Sequence, residues 1–104
     1  MTNLNKVDSS GTCYALNKVN EKNLIVFIHG VGLTKEIWEP QINFFTNYNT
    51  LTYDLLGHGK TPLKKSKVNL EDFSKQLEKL IKENESEQLN QFITSSKKFR
   101  DSLI

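Results

Sequence analysis

Five consecutive large apolar residues, Leu24-Ile25-Val26-Phe27-Ile28, leave few architectures open. An unbroken run of this kind suits a strand buried on both faces, as in a parallel sheet covered by helices. The polar stretch Asn20-Glu21-Lys22-Asn23 precedes it and His29-Gly30 follows it, so the run is sharply bounded.

The segments around this strand supply the rest of an α/β pattern. Residues 4–7 and 12–16 are strand-like, and Asp8-Ser9-Ser10-Gly11 between them is turn chemistry, which predicts a β-hairpin. After the loop at residues 29–38, Pro40 fits the first turn of a short helix carrying Ile42, Phe44 and Phe45. Residues 51–53 read as a further strand, followed by a loop with two glycines and a proline. Asn69 is an N-cap with Glu71 and Asp72 in the first helical turn, and Leu70, Phe73, Leu77, Leu80 and Ile81 share one helical face. The predicted order β, β, β, α, β, α points to an α/β sheet.

Composition closes off several functions. At 104 residues the chain is one small domain at most, or part of a larger one, and 37% hydrophobic with 25% charged residues is a globular balance. The net charge is only +2 and lysines alternate with acids, so neither nucleic acid nor an anionic membrane is expected as a partner. Cys13 is the sole cysteine, which excludes an internal disulfide and a multi-cysteine metal site, and its place in a strand-like run suits a packed thiol. No metal and no cofactor is implied. The amino-terminal residues lack the apolar stretch of a signal peptide, so the expected setting is cytoplasmic.

Two loops carry the functional information. Gly59-Lys60-Thr61 matches the second half of a phosphate-binding loop, but the first glycine would fall on Asp54, a carboxylate of the wrong sign. Pro62 also pushes Thr61 away from helical geometry where that motif needs a helix to begin. The alternative is carried by the strand ending in His29-Gly30-Val31-Gly32, with Trp38 before a helix and a second strand running into Asp54-Leu55-Leu56-Gly57-His58-Gly59. This arrangement resembles the N-terminal third of α/β-hydrolase-fold enzymes, in outline over residues 4–84 and in detail over 24–61.

The resemblance implies the N-terminal portion of an α/β-hydrolase fold, a β-hairpin plus mostly parallel strands with helices, in which the sheet is incomplete. It divides the chain into a partial hydrolase domain at residues 1–87 and a divergent segment at 88–104. It also implies hydrolysis of ester or amide-type small molecules, with Gly30, Val31 and Gly32 as an oxyanion-hole loop and the Val31 N–H as donor. The same glycines also serve a plain strand-to-helix turn, and both roles stay open. By resemblance His29, Trp38, Asp54, Gly57, His58 and Gly59 are structural, because the family's catalytic histidine follows its nucleophile in the chain.

The family's next element is a strand entering G-x-S-x-G. Ser96 is the candidate at that distance, but the glycine positions fall on Thr94 and Lys98, which do not fit a strained elbow. Ser95 and Lys98 satisfy S-x-x-K without that motif's companions. The expectation is a truncated family member, inactive by itself, whose uncovered sheet leaves room for self-association. A non-catalytic binding module built on the same fold is the alternative.

Overall fold

The computed structural model describes residues 5–84. The expected order appears as strands β1 (Lys6–Val7), β2 (Cys13–Asn17) and β3 (Leu24–Ile28), a 3-10 turn (Lys35–Trp38), helix α1 (Glu39–Phe44), strand β4 (Asn49–Tyr53) and helix α2 (Leu70–Glu83). The first compact unit ends at Leu63 and the second begins at Lys64. The predicted segment 88–104, Ser96 included, lies outside the described residues.

The strands of the first unit form a mixed sheet in the order β1-β2-β4-β3. The hairpin forms because Asp8 organises its turn: Oδ1 accepts the N–H of Ser10 and of Thr12, each at 2.9 Å. Gly11 supplies the positive φ of 96° that the turn requires. β2 runs antiparallel to β4 with Tyr14 opposite Tyr53, and β3 runs parallel to β4 with Ile28 also opposite Tyr53.

Burial departs from the sequence expectation in an instructive way. All five residues of β4 are buried, although its sequence alternates polar and apolar, whereas all five residues of β3 are half-buried. Position in the sheet decides this: β4 lies between two neighbours, while β3 is an end strand among the described residues. Thr50 and Thr52 are therefore enclosed by the strands beside them and not by any apolar pattern of their own.

Asn49 anchors the entry to β4. Buried at 2% exposure, it accepts the N–H of Val19 (2.7 Å) and Asn20 (3.0 Å) and donates to the carbonyls of Asn20 and Lys22. One side chain thus satisfies a whole loop of backbone between β2 and β3. On the other side of β3, Phe27 packs against Trp38 and Phe45, with ring centroids 5.2 and 6.2 Å away. These contacts seat the 3-10 turn and α1. Pro40 stands at the start of α1 as expected, but Phe44 is 79% exposed and no residue of α1 is fully buried.

In the second unit α2 opens on a reciprocal capping box. The Asp72 N–H donates to Asn69 Oδ1 and the Asn69 N–H to Asp72 Oδ2, both at 2.9 Å. Lys65 pairs with Asp72 at 2.8 Å, and this bond, with that from Asn69, holds the Asp72 carboxyl below its usual range. Its buried residues are Ser74, Gln76, Leu77, Leu80 and Ile81. Leu70, expected on that face, is exposed, because residues at the first turn precede the stretch that is covered.

Candidate functional site

The parallel pairing of β3 with β4 dictates where the two informative loops meet. Ile28 lies opposite Tyr53, so His29 and Asp54, the next residues of each strand, emerge side by side at the carboxyl end of the pair. In sheets of this class that end is where ligands gather.

Both residues are spent on backbone. The Leu55 N–H donates to His29 Nε2 at 3.0 Å, and His29 Nδ1 lies 2.8 Å from the Gly30 carbonyl. A ring that accepts at Nε2 carries its proton on Nδ1, which donates to that carbonyl. Asp54 divides its oxygens between loops: Oδ1 accepts the Lys35 N–H at 2.8 Å and Oδ2 accepts the Lys60 N–H at 3.1 Å. Asp54 is 1% exposed, so these charge-assisted bonds are sheltered from water.

The loop after β4 is a compact pair of turns. His58 N–H donates to the Leu55 carbonyl and Thr61 N–H to the His58 carbonyl, each at 2.9 Å. Gly57 and Gly59 adopt φ of 75° and 51°. At Gly59 the glycine is required twice over, since a Cβ there would lie 2.5 Å from the Asp54 carboxyl carbon. The His58 ring stands 5.1 Å from that of His29, and its Nδ1 lies 3.0 Å from the Leu56 carbonyl.

The loop after β3 has a different character. Leu33 N–H closes a turn on the Gly30 carbonyl at 3.1 Å, with Gly32 at φ 88° in the position where a type II turn needs it. The bond that closes this turn leaves the Val31 N–H unused among the described residues, and Val31 is 88% exposed. Space beside Gly32 is open, with nothing within 4 Å of a Cβ placed there. Trp38, expected as a structural residue, stacks on Phe27, while its indole Nε1 is buried with no partner among the described residues.

Lys35 escaped sequence analysis as part of this site, whereas Thr61 closes the Gly59-Lys60-Thr61 run already singled out there. Lys35 is 5% exposed; its backbone meets Asp54 and its ammonium pairs with Glu36, whose carboxyl this bond holds below the usual range. Thr61 Oγ1 accepts the Cys13 N–H at 2.9 Å, and the Asp54 N–H donates to the Cys13 carbonyl at 3.0 Å, so β2 is fastened to the same loop. The phosphate-loop geometry is not formed. The helix begins at Leu70 and not at Thr61, and the Thr61 hydroxyl is engaged with β2.

Burial, the largest influence on Cys13, pushes its thiol up, away from nucleophilic thiolate. Among the described residues no three His, Cys, Asp or Glu side chains are grouped to hold a metal ion, and no helix is long and apolar enough to cross a membrane.

Comparison with known proteins bears on the fold. No protein-family profile matches the chain. Over 50 residues it is 40% identical to the (E)-2-((N-methylformamido)methylene)succinate hydrolase of Acinetobacter baylyi, covering 47% of this chain and 19% of that protein. A solved hydrolase from Pseudomonas aeruginosa superimposes on 77% of this chain with a TM-score of 0.65 at 24% identity. The chain spans 31% of the length of that structure. The fold, a mixed four-stranded sheet with helices, is shared with part of a larger hydrolase.

Proposed function

We propose that residues 24–61 form the oxyanion side of a hydrolytic site of the α/β-hydrolase family, acting on the ester or amide-type bond of a small molecule. The observation that carries this is the Gly30–Leu33 turn at the end of β3, whose Val31 N–H is left unused beside an open Gly32. Attack on an acyl carbon moves charge onto its oxygen, and a fixed backbone N–H aimed there stabilises the transition state without reorganising. In this reading Asp54 and His29 act by holding the backbone of the two loops. Asp54 pins the far end of the turn at Lys35, and His29 ties its near end to Leu55.

The reaction's nucleophile, acid and late histidine belong outside residues 5–84. Both nitrogens of His29 are committed to backbone, which leaves it no lone pair for a substrate proton. This chain by itself is accordingly expected to be inactive. The sequence identity to a succinate-derivative hydrolase supports the hydrolytic class, and the substrate of this chain is left at that class.

The test is a chimera. The aligned 50-residue stretch of the Acinetobacter hydrolase is replaced by the matching residues of this chain, and turnover of that enzyme's own substrate is measured. Activity that persists and then falls by about a hundredfold or more with Val31→Pro, which deletes the N–H, supports the oxyanion role. A chimera that folds and turns over equally well with Val31→Pro rules it out and leaves the loop as a plain turn.

A further inference from the structure

The Val31 N–H belongs to the same peptide as the Gly30 carbonyl, and that peptide is trans. In a planar trans peptide the N–H and the C=O point in opposite directions, so whatever fixes the Gly30 carbonyl also fixes the Val31 N–H. Two donors hold this carbonyl. The Leu33 N–H reaches it at 3.1 Å to close the turn, and His29 Nδ1 reaches it at 2.8 Å. A carbonyl oxygen has two lone pairs, and these bonds use both. The second bond matters because Gly30 has no Cβ to restrict the rotation that swings the peptide.

We propose that His29 is the positioning residue of the oxyanion donor, its Nδ1–H aiming the Val31 N–H through the peptide they share with Gly30. The inference rests on the hydrolytic reading given above. The Leu55 N–H selects the tautomer: by donating to Nε2 at 3.0 Å it sends the ring's proton to Nδ1, the nitrogen that faces the Gly30 carbonyl. The ring is held in that orientation, being 3% exposed and set against the His58 ring at 5.1 Å. The loop after β4 thereby sets the direction of a donor in the loop after β3, through one imidazole.

Two substitutions separate the ring's two bonds. Asn reaches as far as Nδ1 and can donate to the Gly30 carbonyl, whereas Gln reaches as far as Nε2 and can accept from Leu55. In the chimera described above, kcat of His29→Gln should fall about tenfold or more below that of His29→Asn at the same KM, because the donor acts in the transition state. Nitrogen NMR of the intact wild-type chain should show His29 protonated at Nδ1 and bare at Nε2. Residual dipolar couplings should show the Val31 N–H turned in His29→Gln and keeping its direction in His29→Asn. Equal kcat in the two variants, or a Val31 N–H that keeps its direction in His29→Gln, overturns the proposal. A wild-type ring protonated at Nε2 overturns it as well, and decides alone should the variants fail to fold. Failure of the oxyanion reading looks different: Val31→Pro then leaves kcat unchanged, while the tautomer and the couplings still decide what His29 aims.

Discussion

His29 Nε2 receives the backbone N–H of Leu55 at 3.0 Å, so the residue leaving β3 is bonded to the second residue leaving β4. The bond is buried, with His29 only 3% exposed. His29→Leu removes the acceptor and leaves the Leu55 N–H without one, a loss of about 1–3 kcal/mol. His58→Leu, at a half-buried ring bonded to the nearby Leu56 carbonyl, should cost less than about 1 kcal/mol. Urea midpoints at unchanged m-value measure both. Equal losses would mean that the two histidines are interchangeable fillers.

Two glycines separate backbone strain from collision. Gly32 and Gly59 both have positive φ, but only Gly59 has the Asp54 carboxyl where a Cβ would go. Gly32→Ala should cost about 1–2 kcal/mol from conformation alone. Gly59→Ala must also displace Asp54 from Lys35 and Lys60, adding about 1.5–3 kcal/mol for hydrogen bonds to a charged group. Thermal or urea melts giving the reverse order would contradict the packing around Asp54.

Alkaline pH should unfold the chain through Tyr53. Burial pushes this phenol well above its ordinary value of 10.0. A raised pKa in the folded state gives stability that is complete below the unfolded pKa and is lost as pH rises above it. From about pH 10 upward this group should therefore remove about 1.4 kcal/mol per pH unit. Tyr53→Phe should flatten that slope in urea melts between pH 9 and about pH 11. An unchanged slope would assign alkaline instability to other groups.

The chain alone should not hydrolyse p-nitrophenyl acetate faster than buffer, since covalent catalysis needs a nucleophile held against a base. Turnover that disappears in Ser96→Ala would restore an elbow at residues 94–98 and overturn this expectation.

Nucleotide should leave the melting temperature where it is. A ligand at a hundred times its dissociation constant adds about 2.7 kcal/mol, which a thermal melt detects easily. A shift with ATP that Lys60→Ala abolishes would re-open the phosphate loop despite Asp54 and Thr61.

Much of this molecule is legible in its residues because certain chemistries announce themselves locally. Leu24–Ile28 declares a strand by its unbroken apolar run, Asp8 to Gly11 a turn, and Asn69 with Asp72 a helix start. The roles of Lys35 and Asn49 do not announce themselves. What Asp54 recognises in Lys35 is a backbone N–H, which every non-proline residue owns, so no side-chain pattern marks it. Asn49 in a polar stretch looks like surface, and only the folded loop at 19–22 supplies the five partners that bury it. The half-burial of β3 and full burial of β4 depend on strand order, a property of the whole sheet.

The shared carboxylate of Asp54 has a consequence for descent. Because the Asp54 carboxylate occupies the space a side chain at 59 would need, and the backbone N–H at 35 relies on that carboxylate, positions 54 and 59 cannot drift separately, whereas 35 is free to vary among residues other than proline. A lineage that acquires a side chain at 59 must shorten or move the acid at 54, and must then find a new acceptor for the backbone at 35. Paired replacement at 54 and 59, rarely single change at 59, and free variation short of proline at 35, is the pattern that homologous chains should show.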